Sequence, residues 1–175
     1  MKNDKENRQN KQFIIHFAGL SRGEHEYDFK ITDKFFDSFE FSEIKKGTIQ
    51  LHLNLNRQDL TLILDFNFSG SVNVPCDRCG DAFDVPVEGK QQLIVTLGGE
   101  LSDEGDELIV LPETEGEIDL IQYVYEYIIL LVPQKRAHKT EKDCNQKVIK
   151  KLKELEANEK NKVDPRWDKL KKIKF

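Results

Sequence analysis

The sequence predicts an α+β fold: a mainly antiparallel sheet or partly closed barrel, with a buried helix and a basic C-terminal helical tail. Apolar and polar residues alternate through much of 47–97, which is the pattern of strands with one buried face. The almost wholly apolar segment 120–132 predicts the buried helix, and the lysine-rich residues after it predict the tail. Successive strands followed by helices are typical of α+β proteins.

Composition favours one ordinary domain with appendages. The 175 residues are 38% hydrophobic, which is enough to build a core. The three cysteines are an odd number and the first residues are too polar for a secretory signal, so we expect a reducing compartment and no disulfide framework. No apolar run reaches the ~18 residues that a membrane span needs. These features predict a soluble cytoplasmic protein without a membrane partner.

Charge divides the chain into an acidic and a basic part. Residues 1–133 hold 12 Lys and Arg against 25 Asp and Glu, a net charge of −13, whereas residues 134–175 hold 15 against 7, a net charge of +8. We therefore predict a disordered leader over 1–11, an acidic α+β body over 12–133 and a basic helical tail over 134–175. The tail either folds back on the body or extends to an anionic partner such as RNA.

The N-terminal part of the body predicts two strands and a short helix. Apolar residues over 13–17 and alternating residues over 24–31 suit strands, which we expect to pair through a turn at 21–23. Thr32 can cap a helix that places Phe35, Phe36 and Phe39 on one buried face.

The middle of the chain predicts two hairpins. Alternation over 49–55 and 60–68, with a turn at 56–59, predicts the first. Separate strands over 83–87 and 93–97 belong to the second, whose tip carries a pair of cysteines. The acidic stretch that follows, 98–119, has no calcium-loop spacing and is interpreted as a solvated loop interrupted by a short strand at 108–111.

The helix over 120–132 is apolar on nearly every side, so we expect it to be buried, with Asp119 as its cap and Pro133 ending it. Glu126 is the exception, because a carboxylate on a core helix needs a partner. Arg78 or a basic residue of the tail could be that partner.

The tail predicts a second helix over 145–160. Val148, Leu152 and Leu155 form a narrow stripe that suits a docking face. Trp167 lies in the last stretch, among lysines, and could stack on a nucleic-acid base. An equally good interpretation makes the lysines of 147–153 the solvated side of a helix that docks on the acidic body.

The Cys-x-x-Cys-Gly sequence at Cys76, Cys79 and Gly80 is typical of a zinc knuckle, because the spacing directs two thiolates at one point. Zinc prefers four ligands, and His138 and Cys144 in the segment after the buried helix could complete a Cys3His site. The alternative is a reduced pair in a surface turn without metal or any other cofactor.

Other chemistry has weaker support. A thioredoxin-like redox pair needs a helix starting at its first cysteine, whereas Cys76 lies between strands. No Cys-His nucleophile signature and no phosphate-binding glycine loop occur in the sequence. We therefore expect binding or assembly and no enzymatic activity, so no catalytic residues are assigned.

Several motifs together resemble the bacterial YceD family, also called large ribosomal RNA subunit accumulation protein. They are Pro-Cys-x-Arg-Cys at 75–79, the acidic stretch, Ile-Asp-Leu at 118–120, the helix with Glu126 that ends in Val-Pro at 132–133, and Asp-Pro-Arg-Trp at 164–167 with Leu170. The sequence departs from the family pattern after that helix, where many relatives carry a second cysteine pair and this chain has His138 and a single Cys144.

The resemblance implies a cytosolic, non-enzymatic factor in the accumulation of large-subunit ribosomal RNA, and thus in ribosome assembly. Its partner would be ribosomal RNA or a basic ribosomal protein. The alternative from the residues is a protein-binding, chaperone-like module for a basic partner, with a thiol redox protein as a distant third. Candidate partner-binding residues are Arg78, Glu126, Asp164, Pro165, Arg166, Trp167, Lys169, Lys171 and Lys172.

Overall fold

The computed structural model describes residues 11–98, 102–103 and 108–159. These residues form an α+β fold with a mostly antiparallel, open sheet, which confirms the predicted fold class. They divide into two compact units: the described residues up to Val74 together with Asp84–Gln134, and Pro75–Phe83 together with the described residues from Lys135 onward. The predicted leader, except residue 11, and the last stretch from residue 160 lie outside the described residues.

The elements follow in chain order. The strands are β1 Ile14–His16, β2 Gly23–Ile31, β3 Lys46–Arg57, β4 Thr61–Pro75, β5 Ala82–Leu97, β6 Ser102–Asp103, β7 Leu108–Leu111 and β8 Glu117–Asp119. The helices are α1 Asp33–Asp37, α2 Ile121–Leu131 and α3 Gln146–Glu159, with short 3₁₀ turns at Lys11–Phe13 and Glu141–Asp143. One sheet has the order β2-β3-β4-β5-β7-β6, with β5 and β7 parallel, and β1 pairs separately with β8.

The β3–β4 hairpin forms the centre of the first unit, as its alternating pattern predicted. Every second side chain is buried: Ile49, Leu51, Leu53 and Leu55 on β3, and Leu62, Leu64, Phe66 and Phe68 on β4. Gly70 faces Ile49 across this hairpin, and a Cβ at Gly70 would lie 2.6 Å from the Ile49 Cα. Only glycine lets the two backbones approach this closely.

The predicted pairing of the first two strands is wrong. β1 pairs with β8 through Ile15 and Ile118, and β2 pairs with β3 along all nine of its residues. The segment between β1 and β2 is no tight turn, because the Arg57 guanidinium on β3 donates hydrogen bonds to the carbonyl oxygens of Phe17, Ala18 and Leu20. Arg57, which is far away in the sequence, thus binds this segment in a conformation other than a tight hairpin turn.

The short helix α1 is present at the predicted place. Phe35 and Phe36 are buried. Phe39 lies just beyond the helix and stacks on Tyr125 of α2, with ring centroids 3.9 Å apart. Two of the three phenylalanines are therefore buried, and the third is half-buried in the turn that follows the helix.

β5 is one continuous strand, whereas the sequence predicted two separate strands. The polar residues Lys90 and Gln92 lie on its exposed side, so they do not interrupt it. Gly89 lies between them and the earlier apolar residues, and a Cβ there would overlap the Leu131 side chain. The missing side chain lets the end of α2 contact the middle of the strand.

Helix α2 is buried along one face, which confirms the predicted buried helix, whereas its opposite face is exposed although the segment is almost wholly apolar. Val124, Tyr127 and Ile128 are buried, and Tyr127 packs edge-to-face on Phe66 at 5.2 Å between centroids. Leu130 is 69% exposed.

Polar groups support the same helix at its start and on its exposed face. The Asp119 carboxylate accepts a hydrogen bond from the Ile121 N–H at 2.9 Å, although the capping position is Leu120. Glu126 lies on the exposed side, where it accepts a hydrogen bond from Gln122 at 2.6 Å. Among the described residues, no helix is both long enough and apolar enough to span a membrane.

Helix α3 lies in the second unit, close to the predicted bounds. Its buried residue is Ile149, with Val148 partly buried beside it. Leu152 and Leu155, which the sequence placed on the docking stripe, are 38% and 53% exposed. The packed face is therefore rotated from the predicted stripe, because the first turn of the helix lies against a cluster of cysteines.

Candidate metal centre

A tight turn between β4 and β5 positions the first two cysteines. The Gly80 N–H donates to the Cys76 carbonyl oxygen at 2.8 Å, and the Cys76 N–H donates to the Asp81 carbonyl oxygen at 2.9 Å. Gly80 has φ of +79°, a left-handed conformation that side chains other than glycine rarely adopt. The glycine after the second cysteine thus allows the chain to curl around the two thiols.

The segment after α2 brings the other two side chains. Thr140 starts the 3₁₀ turn Glu141–Asp143 with a reciprocal capping box. The Thr140 side chain accepts a hydrogen bond from the Asp143 N–H, and the Asp143 carboxylate accepts one from the Thr140 N–H. The Cys144 N–H then donates to the Glu141 carbonyl oxygen at 3.3 Å. This capped turn places Cys144 at a fixed position after His138.

The four predicted ligands lie together. One ligand atom from each of Cys76, Cys79, His138 and Cys144 falls within 4.8 Å of all the others. His138 Nδ1 is 3.7 Å from Cys79 Sγ and 3.6 Å from Cys144 Sγ. Sulfur and nitrogen ligands of a tetrahedral zinc ion stand about 3.5 Å apart, so these separations fit such an ion. The site could bind a metal.

The cluster is also the small core of the second unit. The three cysteines are 3%, 7% and 4% exposed and are packed with Ile149, which is 5% exposed. Phe83, Ala137 and Val148 pack around them, and the Phe83 ring lies 4.5 Å from the His138 ring between centroids. The three sulfurs therefore lie in largely apolar surroundings, whereas His138 is half-buried.

Asp77 and Arg136 join the two segments that carry the ligands. The Asp77 N–H donates to the Arg136 carbonyl oxygen at 2.7 Å, and the Arg136 N–H donates back to the Asp77 carboxylate at 2.7 Å. The Arg136 guanidinium adds an ion pair at 3.6 Å. The sequence alone did not predict this clamp, although Asp77 lies between the two cysteines and Arg136 lies two residues before His138.

The Cys76 thiol is biased toward ionisation. Burial of the thiol raises its pKa, but hydrogen bonds from the backbone of His138, Arg78 and Cys79 outweigh this and lower the pKa to about 6. N–H groups that converge on a sulfur favour thiolate, which is the form that binds metals.

Cys144 behaves in the opposite way. Burial raises its pKa, and hydrogen bonds with the Cys79 and Cys76 thiols raise it further, while a hydrogen bond from Arg78 acts against them. Three thiols this close cannot all ionise without a cation among them. A metal cation among the three sulfurs would supply the positive charge that lets all of them ionise.

The predicted partner-binding residues lie in different places. Arg78 donates a hydrogen bond from Nη1 to Cys144 Sγ at 3.7 Å. Glu126 is bonded to Gln122 on the first unit's helix α2. The others lie outside the described residues: Asp164, Pro165, Arg166, Trp167, Lys169, Lys171 and Lys172.

Comparison with known proteins identifies the family. A family model described as Large ribosomal RNA subunit accumulation protein YceD matches residues 64–174, more than half of the chain. The chain belongs to the YceD family. The matched range includes all four residues of the cysteine and histidine cluster, and the family name ties the chain to accumulation of large-subunit ribosomal RNA. No curated protein and no solved structure matches the chain.

Proposed function

We propose that the chain is a non-enzymatic, zinc-binding accessory factor that promotes the accumulation of large-subunit ribosomal RNA in the cytoplasm, by binding RNA or a ribosomal protein. The observation that carries the proposal is the convergence of four ligand atoms within 4.8 Å, inside the range matched to the YceD family.

The ligand chemistry favours zinc. Thiolate and imidazole ligands suit zinc, whereas magnesium and calcium require oxygen ligands. Because protein side chains would supply all four positions, no position is left for a reacting water, which is the arrangement of a structural zinc site. The ion would hold residues 75–83 and 135–159 in one folded unit.

Metal content tests this part of the proposal. Protein purified without chelators is expected to contain one zinc per chain, and His138→Gln is expected to lose most of it. His52→Gln is the matched control, since His52 lies on β3 and bonds to Asp28 at 3.0 Å, outside the cluster. Zinc-free wild-type protein, or equal zinc in the His138 variant, would contradict the proposed site.

The role in ribosome assembly has a cellular test. Depletion of the protein is expected to lower mature large-subunit RNA relative to small-subunit RNA, and re-expression of the wild-type chain should restore the ratio. An unchanged ratio after verified depletion argues against the role that the family name suggests.

Two kinds of partner remain to be separated. Binding to RNA draws support from the cations of the second unit, namely Lys135, Arg136, Lys139, Lys142, Lys147, Lys150, Lys151 and Lys153, and from Arg166, Trp167, Lys169, Lys171 and Lys172 beyond them. A basic ribosomal protein, or a basic client of a chaperone-like module, draws support from the net charge of −13 over residues 1–133.

Capture of the tagged protein with and without ribonuclease separates these partners. A partner retained after nuclease treatment is a protein, and a partner lost is RNA or is bridged by RNA. For RNA, affinity should fall steeply between low and moderate salt, because each phosphate contact releases counterions.

A further inference from the structure

The two side chains between Cys76 and Cys79 have different tasks. Asp77 and Arg136 share one backbone hydrogen bond, and the Asp77 carboxylate accepts a hydrogen bond from the Arg136 N–H and forms an ion pair with the Arg136 guanidinium, so its charge is balanced within the clamp. The Arg78 side chain instead contacts a thiol and donates a hydrogen bond from Nη1 to Cys144 Sγ at 3.7 Å. A residue of the first ligand-bearing segment thereby contacts a ligand of the second.

The charge of a loaded site explains why a guanidinium lies there. A divalent zinc ion with three thiolates and a neutral imidazole carries one net negative charge. All three sulfurs belong to buried residues, and a buried net charge is costly unless an opposite charge or hydrogen bonds compensate it. The Arg78 guanidinium donates to a sulfur of the cluster, and Arg136 forms an ion pair with Asp77.

We infer that Arg78 is the positioning residue of the metal centre: its guanidinium orients Cys144 and makes the zinc-loaded site electrically neutral. The inference rests on the proposed zinc binding and assigns Arg78 a role in the site, where the sequence suggested a contact with a partner. Outer hydrogen bonds of this kind commonly contribute about 10- to 100-fold to metal affinity.

Zinc affinity of the full-length protein, measured by competition with a chromophoric chelator, tests the inference. Arg78→Gln is expected to weaken binding by about 10- to 100-fold, and Arg78→Lys by less, because lysine keeps the charge but loses the planar donor geometry. Lys153→Gln is the matched control. This substitution also removes one positive charge from the second unit, where Lys153 forms an exposed ion pair with Glu141 at 2.8 Å. The zinc affinity of the Lys153→Gln protein should stay within about twofold of wild type.

Cobalt substitution supplies a readout that a merely structural role would not change. Loss of a hydrogen bond to a coordinating thiolate makes the sulfur a better electron donor, so the sulfur-to-cobalt charge-transfer band of Arg78→Gln should shift to longer wavelength. The band of Lys153→Gln should not shift. Both variants report on the loaded site, even where the metal-free forms differ in folding.

The outcomes separate the two proposals. Wild-type protein that binds zinc, together with Arg78→Gln of unchanged affinity and unchanged cobalt band, overturns the role of Arg78 and leaves zinc binding intact. Wild-type protein that binds no zinc overturns both. Equal weakening in Arg78→Gln and Lys153→Gln shows a general effect of charge and also overturns the specific role.

Discussion

Removal of zinc is expected to unfold the second unit while the first unit stays folded. Within the described part of the second unit, the buried apolar cluster consists of the three cysteines and Ile149, with Phe83, Ala137 and Val148 partly buried against it. Helix α3 has 14 residues, and an isolated helix of this length is marginal in water. Without the ion, the described contacts between the two segments are these apolar side chains and polar contacts such as the clamp between Asp77 and Arg136.

The magnitudes support this expectation. One fully buried isoleucine and three partly buried apolar side chains, one of them a small alanine, contribute on the order of 5 kcal/mol, at about 1.5–3 kcal/mol for each full burial of a large side chain. A structural zinc ion contributes about 10–16 kcal/mol in zinc-finger peptides. The metal would thus supply at least twice what the apolar contacts supply, so its loss cannot be offset by them.

Hydrogen exchange measured by mass spectrometry is a suitable assay. After a strong chelator is added, the amides of α3 should exchange at nearly the rate of an unfolded peptide, and the helical circular dichroism signal should fall. The amides of the β3–β4 hairpin are the internal control, because that hairpin has its own buried residues, and their protection should persist.

One result would refute the reasoning. If metal analysis shows that the zinc is gone and α3 keeps its protection, the second unit is held by its side-chain packing and the ion is not structural. Loss of protection in α3 and in the β3–β4 hairpin together would instead show that the two units unfold as one.

Further substitutions test particular contacts of the first unit. Gly70→Ala should lower the free energy of unfolding by about 3 kcal/mol or more, because the new Cβ would lie 2.6 Å from a Cα of β3, whereas Gly19→Ala has open space and should change it by less than about 1 kcal/mol. Arg57→Met should cost about 2–4 kcal/mol, since it removes the hydrogen bonds to three carbonyl oxygens, while Arg22→Met, at an exposed ion pair, should cost under about 1 kcal/mol. Glu126→Gln should change stability by less than about 0.5 kcal/mol, because that carboxylate is exposed and makes a bond within its own helix. Chemical denaturation would measure all five variants, and a cost above 2 kcal/mol for Glu126→Gln would contradict the assigned surface position.

Local patterns predicted the elements whose structure depends on neighbouring residues. Alternation at Ile49 and Leu64 was enough for the β3–β4 hairpin, because burying one face of a strand requires a period of two. The spacing of Cys76 and Cys79 was enough for the first half of the cluster, because a four-residue turn sets the separation of the two thiols.

Long-range choices could not be predicted in the same way. β1 could have paired with β2, which follows it, but β2 pairs with β3 and β1 pairs with β8, and both partners are far away in the sequence. His138 and Cys144 were predicted as ligands from the count of cysteines and the preference of zinc for four ligands. That argument requires the chain to return to Cys76 and Cys79, but it does not predict the path that the chain takes. The clamp between Asp77 and Arg136 depends on that path, so no local pattern indicates it.

The apolar face of α3 shows a related difficulty. Helical periodicity selected Val148, Leu152 and Leu155 as a stripe, but Ile149 is the buried residue that packs on the cysteines, and of the stripe Val148 is partly buried beside it. Periodicity identifies an amphipathic helix well, whereas the rotation of a helix is decided by where its first turn is anchored. Here the anchor is Cys144, two residues before α3 begins.

The second unit is assembled from two pieces of chain, with residues 84–134 of the first unit between them. A ribosome translating this chain delivers Cys76 and Cys79 long before His138 and Cys144, so the nascent protein passes through a stage with only two of its four ligands. Two thiolates hold zinc weakly, so an ion bound by all four residues would have to await synthesis of the intervening residues. Folding of those residues within the first unit would shorten the effective loop that the metal has to close, and would thereby lower the entropic cost of the last step. The discontinuous path of the chain therefore favours an order of assembly in which the first unit folds before the four-residue site is complete.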